Sequence, residues 1–161
     1  MHKIHKLLLF IALSSTACNN AGDSSASDNP GADSSQAVTV PVTRESLAGC
    51  YSQIYERDTS SLHVKLANDS LTGDLVYKIF EKDRNDGMFK GDLSNDVLSG
   101  WYYFKSEGVM SVRQVLWKIS NGQLWPAMGE MKIRNDTMIF TDPASLKFDD
   151  THPFVKVNCA E

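Results

Sequence analysis

NDVLSGWYYFKSEGVMSVRQVLWKISNG, residues 95–122, holds two runs of strand-forming residues set between an Asn-Asp pair and an Asn-Gly pair. Asn, Asp and Gly tolerate positive φ and fit tight hairpins. Residues 97–104 and 109–119 are therefore expected as strands. Working outward, the same punctuation recurs at Asn68-Asp69, Asn85-Asp86-Gly87 and Asn135-Asp136. Between these marks the residues alternate with a period of two, as in Leu71, Gly73, Leu75, Tyr77 and Ile79, or Val97, Ser99, Trp101 and Tyr103. Further strands are expected over 47–55, 61–67, 71–80, 88–93, 123–134 and 137–141, with 154–158 closing the chain. Pro126 and Gly129 interrupt the seventh of these, which is bulged, lies at an edge, or is two strands. The one expected helical turn is Asp142-Pro143-Ala144-Ser145, with Asp142 as cap and Pro143 in the first helical position. The fold class is all-β, a small antiparallel up-and-down barrel of about eight strands, because closure removes exposed sheet edges. Two sandwiched sheets are the alternative. Gly73, Gly91 and Gly100 inside strands suit the coiling of a small barrel.

The rest of the 161-residue chain is an address and a tether. Lys3 and Lys6 precede an unbroken apolar run from Leu7 to Leu13, then small residues lead to Cys18. That is the layout of a secretory signal, far short of the ~20 apolar residues of a membrane-spanning helix. Ser15-Thr16-Ala17-Cys18 resembles the lipobox of bacterial lipoproteins, in which the cysteine is acylated and becomes the first mature residue. Residues 1–17 are thus expected to be a lipoprotein signal peptide, and 18–45 the lipidated Cys18 and a flexible tether. Asn19 to Ala37 carries no aromatic and no large aliphatic residue and cannot offset the entropy of ordering it. The β-barrel domain is expected over 46–161. Several acyl chains, at roughly 0.8 kcal/mol per buried methylene, would make the membrane a partner and put the protein on the bacterial cell envelope, at the periplasmic face or the outer-membrane surface. A net charge of −4 without a basic cluster argues against nucleic acid, whose phosphates need Lys and Arg.

Cys50 and Cys159 form an even pair in an oxidising compartment, so a disulfide between them is expected, with two buried thiols as the alternative. No metal or cofactor is expected: beyond the signal only His63 and His152 remain, without a ligand motif. The turn from Glu81 to Gly87 lacks the glycine spacing of a calcium loop and reads as a solvated turn. Ser111 or Ser145 with His152, and paired carboxylates among Glu107, Glu130 and Asp149, are weaker hydrolytic candidates than surface or structural roles.

The sharper possibility is binding. Along 109–119, Ser111, Arg113, Val115 and Trp117 share one face and Met110, Val112, Gln114 and Leu116 the other. If the first face points inward, Arg113 stands above an apolar wall, and Trp117, Trp101, Tyr103 and Tyr77 complete an amphipathic ligand pocket. A guanidinium there is expected to be largely buried and paired with a carboxylate or a backbone carbonyl. Alternatively, Arg113 bridges to Glu107 or Glu130 and the aromatics merely fill the core.

Gly49-Cys50-Tyr51, residues 77–87, residues 106–113 and residues 146–150 resemble a set of small lipoproteins of the Bacteroidota to which no activity is attached. Gly49 followed by Tyr51 at the start of the first strand is similar to the Gly-x-Trp opening of lipocalins and avidin-like calycins, with Tyr in place of Trp. The resemblance implies a calycin-like barrel. Together these features lead us to expect a lipid-anchored, non-catalytic envelope module, structural or recognising an envelope protein. The alternative is lipocalin-like binding of a small amphipathic or hydrophobic ligand.

Overall fold

A computed structural model describes residues 41–82 and 84–160. The expected signal peptide, Cys18 and the tether up to residue 40 lie outside the described residues. A short helix, α1 (Arg44–Leu47), leads in, capped by Thr43, whose hydroxyl accepts from the Ser46 N–H while the Ser46 hydroxyl donates to the Thr43 carbonyl. Leu47 is buried and Arg44 forms a two-pronged ion pair with Asp92, so ordered packing begins a few residues before Ser46.

Seven strands follow as an antiparallel meander: β1 (Gly49–Tyr55), β2 (Asp58–Ala67), β3 (Ser70–Lys78), β4 (Arg84–Ser94), β5 (Val97–Ser106), β6 (Val109–Ser120) and β7 (Gln123–Met128). Asn68, Asn95-Asp96 and Asn121-Gly122 take positive φ at the turns, as expected for those residues. Asn85-Asp86-Gly87 does not form a turn but lies inside β4, where Gly87 stands opposite Leu75 and Phe104. The reversal occurs earlier, at Glu81, which takes positive φ. The turns of β1–β2, β3–β4 and β5–β6 share one end of the sheet, here the upper end; α1 and the start of β1 lie at the lower end.

The long seventh segment is two strands, split at Gly129-Glu130 into β7 and β8 (Met131–Arg134). Pro126 has no N–H to donate, and the β6–β7 ladder ends at the Trp117–Pro126 pair. Beyond it β7 leaves β6, and β9 (Thr137–Phe140), the hairpin partner of β8, runs parallel to β6 at Val112 and Arg113. Asp142 caps a 3-10 turn (Pro143–Ser145) by accepting from the Ala144 N–H. The chain then forms β10 (Lys147–Phe148) against β7 and β11 (Val155–Val157) against β1.

The fold is therefore all-β and up-and-down. Its two edges are not joined by a continuous ladder: they meet at one bridge, where Leu124 and Phe154 exchange both backbone hydrogen bonds, at 3.0 and 2.8 Å. The Cys50–Cys159 disulfide, with Cα atoms 5.2 Å apart, fastens the C-terminal segment to β1.

Alternation decides what faces inward. On β2 it is Ser60, Leu62 and Val64, on β3 Leu71 and Leu75, on β5 Leu98 and Tyr102, and on β6 Val115, Trp117 and Ile119. Phe89 and Phe154 meet Trp117 edge-on from two sides, at 5.5 and 6.0 Å between ring centroids. Large side chains thus fill the lower and middle interior, while the upper interior holds fewer of them.

Candidate functional site

The upper interior is a chamber of two lobes that share Tyr77 and Met128. The first, of about 490 Å³, lies between the inward residues Gln53, Tyr55, Asp58 and Ser60 and the loop 149–152. The second, of about 270 Å³, opens in the gap where β7 diverges from β6 and is lined by both faces of β6, Arg113 from the inner and Gln114 and Leu116 from the outer, with Pro126, Met128 and Met131 opposite. Pro126 therefore does more than end a ladder: by releasing β7 it makes room inside.

Arg113 points to the core face, as alternation requires, and its guanidinium lies 5.9 Å over the Phe104 ring. Phe104 stacks on Tyr102 at 4.6 Å, and Tyr77 meets Tyr102 edge-on at 5.6 Å. The expected carboxylate or carbonyl partner is not there: among the described residues no acid lies within ion-pairing distance of Arg113, and its buried Nε–H has no acceptor. Arg113 is largely buried, as expected, with its head partly open to the adjoining lobe. The partner is missing because the inward neighbours are aromatic. Trp117 is buried, and its indole N–H likewise lacks an acceptor. Leaving a buried donor unpaired typically costs about 1–3 kcal/mol.

Trp101 and Tyr103 are corrected. They lie on the outer face of β5, Trp101 being 38% exposed, beside Lys90, Asp92 and Gln114. Both faces of β5 carry aromatic residues, and burial chooses Tyr102 and Phe104. Gln114, also outward, accepts through its side-chain oxygen from the Phe140 N–H and so fastens β9 beside β6.

Of the three acids lining the first lobe, Asp58 and Asp149 are occupied structurally and Asp150 is exposed. Asp58 accepts from the Phe80 N–H at 2.7 Å. Asp149 Oδ1 accepts from the Thr151 N–H, the Thr151 hydroxyl and the His152 N–H. Burial raises the Asp149 carboxyl, but those hydrogen bonds and nearby His152 outweigh it, and its pKa lies below the ordinary value. His152 Nδ1 sits 2.7 Å from Thr151 Oγ1, its ring edge-on to Tyr55, and its backbone carbonyl accepts from Gln53. Ser145 donates to the Asp142 carbonyl rather than meeting His152. Glu107 and Glu130 are exposed on separate turns. His63 pairs with Cys50 across β1 and β2, and its ring nitrogen lies near both sulfurs, which are joined to each other.

Burial pushes Tyr77 up to about 12, with the Arg113 charge pulling part of the way back. Tyr102 is raised as well, first by burial and then by the charges of Tyr77 and Asp86. Both are raised above the unfolded value of about 10, so their stabilisation is complete below pH ~10 and is lost as pH rises through the folded values. Denaturant unfolding followed from pH ~9 to ~12 is expected to show a loss of roughly 2–3 kcal/mol from Tyr77, which Tyr77→Phe removes.

No protein-family model, curated protein or solved structure matches this chain.

Proposed function

We propose that this protein is a lipid-anchored module of the bacterial cell envelope that binds a small amphipathic ligand in its upper chamber and performs no catalysis. One observation carries the reading: a lobe of about 270 Å³, close to the usual lower size of ligand sites, joins apolar walls to the inward and unpaired Arg113. The Leu124–Phe154 bridge brings the C-terminal segment, which the Cys50–Cys159 disulfide fastens to β1, against β7, and we read this arrangement as a calycin-like barrel seamed by that segment. Cys18, acylated, anchors the module, and residues 19–40 let it reach.

A second reading, recognition of an envelope protein, rests on the rim. Ile54 and Tyr55, Phe80, and Val109 with Met110 are exposed apolar residues at or beside the three upper turns. These residues lie at one end of the sheet, and Tyr55 among them also lines the first lobe.

Native mass spectrometry of the protein extracted from its own envelope tests both anchor and binding. The expected spectrum shows acyl mass on Cys18 as the first residue, plus a small retained molecule that leaves on activation. An unmodified Cys18 overturns the anchor. A spectrum of protein and anchor alone, together with no uptake of any amphipathic probe, overturns the binding reading.

A further inference from the structure

We propose that the smaller lobe selects an acid: a carboxylate on a compact apolar body, its head against Arg113 and its body along Pro126, Met128 and Met131. The inference rests on the chamber being a ligand site and adds the chemical class of the ligand.

Charge is the first reason. Arg44 holds Asp92, Lys65 holds Asp74, Arg84 holds Asp86 and Lys156 donates to the Ser46 carbonyl, all at exposed positions; Arg113 differs in that part of its guanidinium is buried. Arg113 faces inward over the Phe104 ring, and among the described residues no carboxylate pairs with it. Its buried Nε–H has no acceptor, and a carboxylate supplies two acceptor oxygens in the plane that a guanidinium fork presents.

The second reason is what the lobe would reject. A cationic ligand would meet Arg113 with like charge, and among the described residues no acid lines the smaller lobe to hold it. A neutral body would bury against the walls and leave Arg113 as it is. Only an acid gains from both halves of the lobe, because charge-assisted hydrogen bonds are the stronger kind. Arg113, Pro126, Met128 and Met131 line the same lobe of about 270 Å³, which allows a head and a compact body to share it.

The test uses the full mature protein and three probes of equal length: decanoic acid, methyl decanoate and decylamine, each titrated while Trp fluorescence is followed. Decanoic acid is expected to bind at least ~10-fold tighter than the ester and the amine, the scale of one charge-assisted hydrogen bond. Arg113→Gln should bring the acid down to the affinity of the ester, and Arg113→Lys should keep part of the preference. Melting curves identify any variant that fails to fold, and if Arg113→Gln fails, the lysine variant and the probe ranking of the unaltered protein decide. Equal binding of acid and ester, or preference for the amine, overturns the acid class while leaving the chamber a binding site. Binding of none of the three, joined to a ligand-free native spectrum, overturns the underlying reading as well.

Discussion

Reduction of the Cys50–Cys159 disulfide is expected to lower the unfolding free energy by about 3–4.7 kcal/mol, since the bond closes a loop of 109 positions. For a domain of this size that corresponds to a fall in melting temperature of roughly 10–20 °C. The effect reaches beyond chain entropy. β11 has only three residues against β1, and Phe154 just before it supplies the single backbone bridge to β7 as well as an aromatic wall for Trp117. Thermal unfolding with and without a dithiol, repeated on a Cys50→Ser, Cys159→Ser double variant, measures the loss. A decrease below ~1 kcal/mol would mean that Phe154 and its hydrogen bonds hold the seam unaided.

Gly100→Val is expected to cost roughly 3 kcal/mol, at the upper end of overpacking effects. Gly100 and Gly91 face each other across β4 and β5, with the Phe89 ring laid against both. A Cβ on Gly100 would fall inside the contact radius of the Lys90 carbonyl oxygen and within 2.6 Å of Gly91 Cα, and backbone cannot step aside as a flexible side chain can. Gly122→Ala provides the contrast: positive φ strains it, but nothing lies within 4 Å, so about 1–2 kcal/mol is expected from conformation alone. Equal losses at both sites in denaturant unfolding would remove the packing argument.

These glycines show how far the residue pattern reaches. Turn chemistry and period-two alternation place most of the strands, because both act over a few neighbouring residues: Asn68, Asn95 and Asn121 take the φ they favour, and Arg113 and Trp117 share a face on β6. Alternation alone does not say which face is inner. On β5 either choice puts aromatic residues inside, and only the packing of Phe89 against Gly100 and of Tyr102 against Tyr77 selects Leu98, Tyr102 and Phe104 over Trp101 and Tyr103. Non-local pairing is harder still. Pro126 marks an interruption in sequence, but the parallel seating of β9 beside β6 depends on Gln114 holding Phe140, a contact over 26 residues with no sequence signature. The chamber follows from that divergence, so Arg113 and Trp117 were legible as pocket residues and the lobe beside them was not. α1 left a faint local signal, a hydroxyl residue at Thr43 followed three places later by Ser46.

With Cys50 joined to Cys159, residues 50–159 form a covalent ring. A protease that nicks one hairpin turn, such as the reversal at Glu81 or at Gly108, opens the ring without releasing a fragment, and both halves stay attached to the N-terminal leader. If the proposed anchor at Cys18 holds, a single cut in such a turn would leave both pieces on the membrane, and two cuts would be needed to shed any part of the ring.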